Sequence, residues 1–257
     1  MENIINLSFF MEKNTTHGSL FSMENKKHYQ FNQWLAGLIE ADGGFYISKK
    51  GAVSCEITMH QSEVQTLHYI KTICGGTVTP RIGSKAFRWR LHKKQPLIEL
   101  CERINGNIRT EKTKKQFIPV LKLYNIEFKN PSLLCLENGW FSGFFCGDGS
   151  FSINRVNFGT TISLDQKDID ILKQIQNVFG GTISFNKSWI GWKWSTNNTA
   201  LCKMLISYFT ENPLCNPYKQ AKMKSFVRFL GYRDRNYHLD PAQKKRLLHF
   251  IDIFQNI

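Results

Sequence analysis

Two aspartates occupy matching places in this 257-residue chain: Asp42 in WLAGLIEADGGF (Trp34–Phe45) and Asp148 in WFSGFFCGDGSF (Trp140–Phe151). Each is the last carboxylate before a glycine, Gly43 or Gly149, expected to end an apolar helix as a C-terminal glycine commonly does. An anion at that end of a helix is disfavoured by ~0.3–1 kcal/mol. Gly37 and Ala41 stand four apart in the first stretch, and Gly143 and Gly147 in the second. Small residues at that spacing make a flat stripe on which another helix backbone can lie. The alternative is a helix thinned only to fit its own sheet. If the two helices pack side by side and parallel, Asp42 and Asp148 converge and repel, which is costly unless a proton or divalent cations lie between them. Oxygen sites with few protein ligands suit Mg²⁺, whose other positions go to water and phosphate. Two metal-bound carboxylates are the parts needed for metal-assisted phosphodiester hydrolysis. Two solvated aspartates at helix ends are the plainer alternative.

The elements that must position these acids are written twice. The two aspartate stretches are offset by 106 residues. Downstream, ITMHQSEVQTLHYIKTICGGTV (Ile57–Val78) aligns with ISLDQKDIDILKQIQNVFGGTI (Ile162–Ile183) at an offset of 105, as does FRWRL (Phe87–Leu91) with WKWST (Trp192–Thr196). Three blocks in one order identify a tandem duplication. Each copy reads helix, two strands, helix, two strands. Phe45–Lys50 and Val53–Met59 alternate with period two, and Gln61–Cys74 places Val64, Leu67, Ile70 and Ile73 at helical spacing. Ser62 and Gln65 form a capping-box pattern. Further strands are expected near Thr77–Ile82 and Phe87–His92, a linker over Lys129–Glu137, and a last helix opened by Pro241. Four segments follow: an N-terminal arm (1–30), a first repeat (31–128), a linker (129–137) and a second repeat with its C-terminal helix (138–257).

A formal net charge of +14 points to a polyanionic partner. No apolar run approaches the ~20 residues of a bilayer span, and no basic amphipathic helix suits a membrane surface, so nucleic acid is the expected partner. Seven scattered cysteines, with no C-x-x-C pair, fit neither a disulfide framework nor a zinc site. Residues 1–30 are polar and Asn-rich, with a short apolar patch at Leu7–Met11, and lack the marks of a secretory signal. They are expected to form a flexible arm, with a cleaved organelle-targeting segment as the alternative.

The strands sort into two faces. Phe87, Trp89 and Leu91 alternate with Arg88, Arg90 and His92, and Trp192 and Trp194 with Lys193 and Ser195. Phe45 and Ile47 alternate with Tyr46, Ser48 and Lys50, and Val53, Cys55, Ile57 and Met59 with Ser54, Glu56 and Thr58. Solvation alone explains a polar outer face, but the cations fit a β-ribbon reading the major groove. Arg81, Ser152, Asn154 and Asn186 complete the expected DNA-facing set.

At LAGLIEADG (Leu35–Gly43) and FSGFFCGDG (Phe141–Gly149) the chain resembles the LAGLIDADG homing endonucleases in their two-motif, single-chain form. Cys146 replaces the acid of the motif's sixth position, while the eighth-position acid is kept as Asp42 and Asp148. The resemblance spans about Phe31 to Leu230. It implies an α+β fold of two αββαββα halves, pseudo-twofold related, with motif helices at the interface and two antiparallel saddle-shaped sheets over double-stranded DNA. It implies a monomeric enzyme cutting both strands of a long asymmetric site with Mg²⁺, Mn²⁺ substituting and Ca²⁺ supporting binding only. The family's water-ordering polar residue maps to Gln61 and Gln166, with helix capping as their other reading. Its basic residue maps to Lys112 in INGNIRTEK and Lys219 in NPLCNPYK, where one extra residue leaves Lys222 as a rival. Two other activities share the fold: an intron RNA maturase and a catalytically silent DNA-binding protein. Retention of both aspartates favours the enzyme. Abundant Lys, Asn, Ile and Phe fit an AT-rich organellar gene, mitochondrial or, alternatively, chloroplast.

Overall fold

The computed structural model describes residues 17–256, with side chains from Tyr29 onward. The first half comprises α1 (His17–Asp42), β1 (Gly43–Ile47), β2 (Val53–His60), a 3₁₀ turn (Gln61–Glu63), α2 (Val64–Cys74), β3 (Thr77–Pro80), β4 (Ala86–Leu91), α3 (Lys94–Ile104) and α4 (Glu111–Leu123). The second comprises α5 (Trp140–Asp148), β5 (Gly149–Ile153), β6 (Thr160–Gln166), α6 (Ile169–Phe179), β7 (Thr182–Asn186), β8 (Gly191–Thr196), α7 (Thr199–Glu211), α8 (Pro217–Asp234) and α9 (Pro241–Asn256). The sheets are antiparallel, ordered β1-β2-β4-β3 and β5-β6-β8-β7. This is the expected α+β duplication, with the last helix opened by Pro241 present as α9; the departure is that each half carries two helices after its sheet where one was expected.

Period-two strands bury one face against helices. Phe45, Cys55, Ile57, Met59, Trp89 and Leu91 are buried in the first half, and Phe151, Ile162, Leu164 and Trp194 in the second. The two central tryptophans are anchored alike: Trp89 Nε1 donates to Gly75 O and Trp194 Nε1 to Gly180 O, each at 2.8 Å. The next glycines, Gly76 and Gly181, hold φ of 88° and 87°, and a Cβ there would come within 2.9 Å of those indole nitrogens. Glycine is required twice over at both positions.

Three local expectations are corrected. Residues 17–30, expected as part of a flexible arm, are helical and continuous with the motif helix, so the boundary at residue 31 falls inside α1. The stretch holds no proline, and polarity alone does not prevent a helix. Residues 1–16, including the Leu7–Met11 patch, lie outside the described residues. The Ser62–Gln65 capping box does not form: α2 has no side-chain cap, and His60 Nδ1 instead accepts from Ser62 N at 3.3 Å. Gly43 and Gly149 end their helices without a left-handed turn, since Gly149 is extended (φ −80°, ψ 153°) and Gly43 opens β1 directly. Space is the reason for glycine there, because a Cβ on Gly43 would lie 2.7 Å from Glu56 O. The linker holds no helix or strand, yet it is pinned: Arg109 Nη1 donates to Ser132 O at 2.8 Å, and Leu134 is buried.

Candidate active site

The motif helices α1 and α5 pack along their small-residue stripes. A Cβ on Gly37 would strike Trp140 O and lie 2.7 Å from Phe144 N, while one on Gly143 would lie 2.6 Å from the Trp34 carbonyl carbon. Further along, a Cβ on Gly147 would lie 2.5 Å from Ala41 Cβ and 3.0 Å from Asp42 Oδ2. Contacts advance in the same direction on both helices, so the helices are parallel and their C-terminal ends meet. That meeting brings Asp42 and Asp148 together.

Their electrostatics follow from the packing. Burial is the largest cause in both: with repulsion from Asp148 and Glu63 added, it pushes Asp42 up to about 7. Asp148 rises less, to about 6, because Lys219, Lys112 and a hydrogen bond from Gln166 Nε2 oppose its desolvation, with Asp165 raising it. Asp42 accepts no hydrogen bond from a side chain among the described residues. Two half-buried, under-compensated carboxylates form a seat for positive charge. Among the described residues no three His, Cys, Asp or Glu side chains cluster as a protein-only metal site. A pair of carboxylates without further protein ligands fits Mg²⁺, which takes water and phosphate at its other positions, better than a metal needing a full protein cage.

The candidate lysines separate. Lys219, in the first turn of α8, donates to Gly149 O, and its charge acts on both aspartates. Lys222 is turned away, donating to Phe254 O at 2.6 Å and lying 4.6 Å over the Phe254 ring. Lys112, in the first turn of α4, is exposed, and its charge also acts on both acids.

The two glutamines do not correspond. Register pairs Gly43 with Ile57 and Gly149 with Leu164, and Trp89 with Ile57 and Trp194 with Leu164. The structural counterpart of Ile57 is therefore Leu164, not Ile162, and Gln166 stands in the place of Met59. Gln166 reaches Asp148, while Gln61 lies two residues past that place, exposed in the 3₁₀ turn, with no side-chain hydrogen bond among the described residues. Near Asp42 the carboxylate of Glu63 is found instead. Asn216 Nδ2 donates to Glu63 Oε1 at 2.8 Å, and the same side chain caps α8 by accepting from Lys219 N at 3.2 Å. Glu63 and Asn216 were missed from sequence, although Asn216 followed by Pro217 is a legible helix start.

Behind the acids, the departure at Cys146 has a structural answer. Glu40 is buried and pushed up to about 7 by desolvation, against donors that favour its charge. It accepts from Arg109 N (2.9 Å), Thr110 N (2.5 Å), Thr110 Oγ1 (2.7 Å) and, across the interface, Trp140 Nε1 (2.6 Å). In the other half, Trp34 Nε1 donates to Leu214 O at 2.7 Å, and Cys146 Sγ donates to the same oxygen. A carboxylate accepts one indole and a backbone carbonyl the other.

The outer sheet face is polar but partly spent on itself. Glu56 lies between Arg88 (2.9 Å) and Arg90 (3.1 Å), Ser54 donates to it at 3.1 Å, and Asp165 lies 3.8 Å from Lys193. Tyr46, Ser48, Lys50, Arg81, Arg90 and Ser152 are exposed, while Thr58, Arg88, Lys193 and Ser195 are half-buried. Three of the expected DNA-facing residues have part or all of their side chain engaged within the protein. Ser54 is 3% exposed, Asn154 Oδ1 accepts from Val156 N, and Asn186 Oδ1 accepts from Ser188 N. Ile47, expected inside, is exposed at the strand end.

The LAGLIDADG endonuclease family model matches residues 35–126 and again 141–231. Among curated relatives, the intron-encoded RNA maturase bI4 of Saccharomyces cerevisiae is 40% identical over 210 residues, covering 79% of this chain and 32% of that protein. The intron-encoded DNA endonuclease ai2b of Dictyostelium discoideum is 34% identical over 210 residues, covering 79% and 73%. The probable intron-encoded endonuclease aI2 of Debaryomyces hansenii is 32% identical over 241 residues, covering 82% and 37%. The chain thus spans about a third of the length of the maturase and of aI2. Among solved structures, the I-LtrWI LAGLIDADG homing endonuclease bound to target DNA superposes with a TM-score of 0.70 at 15% identity, covering 89% of this chain and 98% of that one. I-SmaMI bound to uncleaveable DNA gives 0.69 at 18% identity, covering 86% and 97%. With both family matches falling on the two halves of one duplicated fold, the chain belongs to the LAGLIDADG endonuclease family.

Proposed function

We propose that the chain is a homing endonuclease that hydrolyses one phosphodiester on each strand of a long, asymmetric double-stranded DNA site with Mg²⁺. The observation that carries this reading is the convergence of Asp42 and Asp148 at the joined ends of α1 and α5, with the charges of Lys112 and Lys219 acting on both. Mg²⁺ bound there would polarise the scissile phosphate and lower the pKa of attacking water. The chain's own groups have distinct tasks. Asp42 and Asp148 hold the cation, and Lys112 and Lys219 put positive charge beside developing phosphate charge. Gln166 holds the Asp148 carboxylate and presents its amide to water. Mn²⁺ is expected to replace Mg²⁺, and Ca²⁺ to support binding alone. The two outer sheet faces meet the major groove, Arg88, Arg90 and Lys193 exchanging Glu56 and Asp165 for phosphates or base edges. The test selects cleaved sites from a randomised duplex library with Mg²⁺, then repeats plasmid linearisation with Asp42→Asn and Asp148→Asn beside gel shifts in Ca²⁺. Loss of cutting with binding retained supports the reading; binding without cutting by the unaltered chain makes it a silent DNA-binding protein instead.

A second reading, RNA maturase, is favoured by one observation: a relative 40% identical to this chain bears that name. Binding of the chain to its own intron RNA tests it. Intron-encoded relatives and the composition support a mitochondrial setting, with the chloroplast as the alternative.

A further inference from the structure

The last helix, α9, stands outside the duplication, having no counterpart in the first half, and packs on α8. Between these helices lies a cavity of about 410 Å³, lined by Tyr232, Tyr237, Arg246, His249, Phe250 and Gln243 among others. That volume falls within the roughly 300–1,000 Å³ range of small-ligand pockets. Its aromatic wall is built by the helix end. Asn236 adopts φ 59°, Asn236 N donates to Arg233 O (2.9 Å) and Tyr237 N to Tyr232 O (3.1 Å). This left-handed cap folds the chain back and stacks Tyr237 on Tyr232, with ring centroids 5.3 Å apart and planes 15° from parallel. Phe250 of α9 meets Tyr232 edge-on at 5.4 Å.

The two helices that wall the cavity carry one-sided charge, and Arg246 lines it. Pro217–Asn256 carries nine Lys and Arg against three Asp. All three acids are committed: Asp234 pairs with Lys203, Asp252 with Arg155, and Asp240 caps α9 through Ala242 N. Among the described residues, no carboxylate pairs with Arg228, Arg235, Lys245 or Arg246. Stacked aromatic rings beside uncompensated cations are the combination that takes an unstacked base and its flanking phosphates. Duplex DNA presents its bases stacked and paired, whereas single-stranded and looped RNA presents them free.

We propose that the α8–α9 cleft binds an unpaired nucleotide of RNA, its base against Tyr232 and Tyr237 and its phosphates on Arg246 and Lys245. This rests on the maturase reading and gives it a surface separate from the cleavage centre. Among the described residues no hydrogen bond or ion pair joins α9 or the tyrosine pair to Asp42 or Asp148, and none of their charges acts on either acid, so the two activities should be separable by mutation.

The probe is fluorescently labelled single-stranded oligoadenylate titrated into the full chain, with unlabelled duplex DNA and free AMP as competitors. The intron RNA is titrated in parallel. The charge variant Lys245→Glu/Arg246→Glu lies on exposed helix positions and should fold. It should lose RNA affinity by about tenfold or more, while target-plasmid cleavage in Mg²⁺ stays at the unaltered rate. Tyr237→Ala should lose about tenfold, as base stacking predicts, and Tyr237→Phe should retain binding. Melting temperatures separate a folding failure of Tyr237→Ala from loss of the base contact. Undiminished RNA binding by the charge variant would overturn the assignment of this surface while leaving the maturase reading intact. No RNA binding by the unaltered chain would overturn both. Parallel loss of RNA binding and of duplex cleavage would show one shared basic surface and overturn the separation.

Discussion

Replacing Asp42 by Asn should stabilise the metal-free protein at neutral and alkaline pH. The carboxyl sits at about 7 in the folded chain against 3.8 for the free group. Between those values the folded state holds a proton that the unfolded state has released, so stability falls as pH rises through this window. Above about pH 7 the full penalty applies, on the order of 4 kcal/mol as an upper figure from the three-unit rise. Asn has the same shape and no charge, and Asp42 accepts no side-chain hydrogen bond that the change would break. In EDTA at about pH 8, Asp42→Asn should therefore melt several degrees higher, since each kcal/mol is worth roughly 2–4 °C in a chain of this size. At about pH 4 the difference should vanish. Glu40 titrates in the same range in both proteins and cancels from the comparison. Mg²⁺ should raise the melting temperature of the unaltered chain more than that of the variant, because binding to the folded state alone is stabilising. Calorimetry from pH 4 to 8, with and without Mg²⁺, reads all of this. Parallel pH curves for the two proteins in EDTA would refute the buried, repelling pair.

Lys219→Ala should nearly abolish plasmid cleavage, whereas Lys222→Ala should cut at the unaltered rate and lose about 1–3 kcal/mol of stability from its Phe254 contacts. Gln166→Ala should slow cutting by about tenfold to a hundredfold, a size typical of lost ligand support, and Gln61→Ala should leave it unchanged, as measured by single-turnover nicking. Arg88→Ala should weaken specific binding by ~1–3 kcal/mol in gel shifts without unfolding the chain, while Trp89→Ala should cost about 3–5 kcal/mol in denaturant titration. Gly143→Leu should prevent folding, since the added side chain meets the Trp34 backbone; a soluble variant with unchanged melting temperature would remove the helix interface from the argument.

Most of the fold was legible because it is repeated and periodic. Gly37, Gly143 and Gly147 announced the helix contact by size alone, and the alternation around Trp89 and Trp194 sorted the sheet faces. What stayed hidden depended on register and on long-range partners. A slip of two residues leaves every side chain on its own face, so the alternation of ITMHQ and ISLDQ could not reveal that Gln166 replaces Met59 rather than Gln61. Identity of the glutamines made the wrong alignment attractive. Glu63 and Asn216 are 153 residues apart and meet only when the halves close. The polar start of α1 read as an arm because solvated helix and coil share a composition. Alternation puts Ser54 on the outer face, but its burial and its hydrogen bond to Glu56 are not written in that pattern.

The crossed tryptophans carry a consequence for how such a chain is assembled. Trp140 reaches from the second half to Glu40 in the first, and Trp34 reaches from the first half to Leu214 in the second. Each half thus offers the same plug and keeps its own socket, acidic in one and carbonyl in the other. The plug does not have to know which socket it enters. A half that brings a tryptophan at this place and either kind of acceptor would satisfy both connections, so at these two points the seam asks each half for one donor and one acceptor and for no matched pair of side chains.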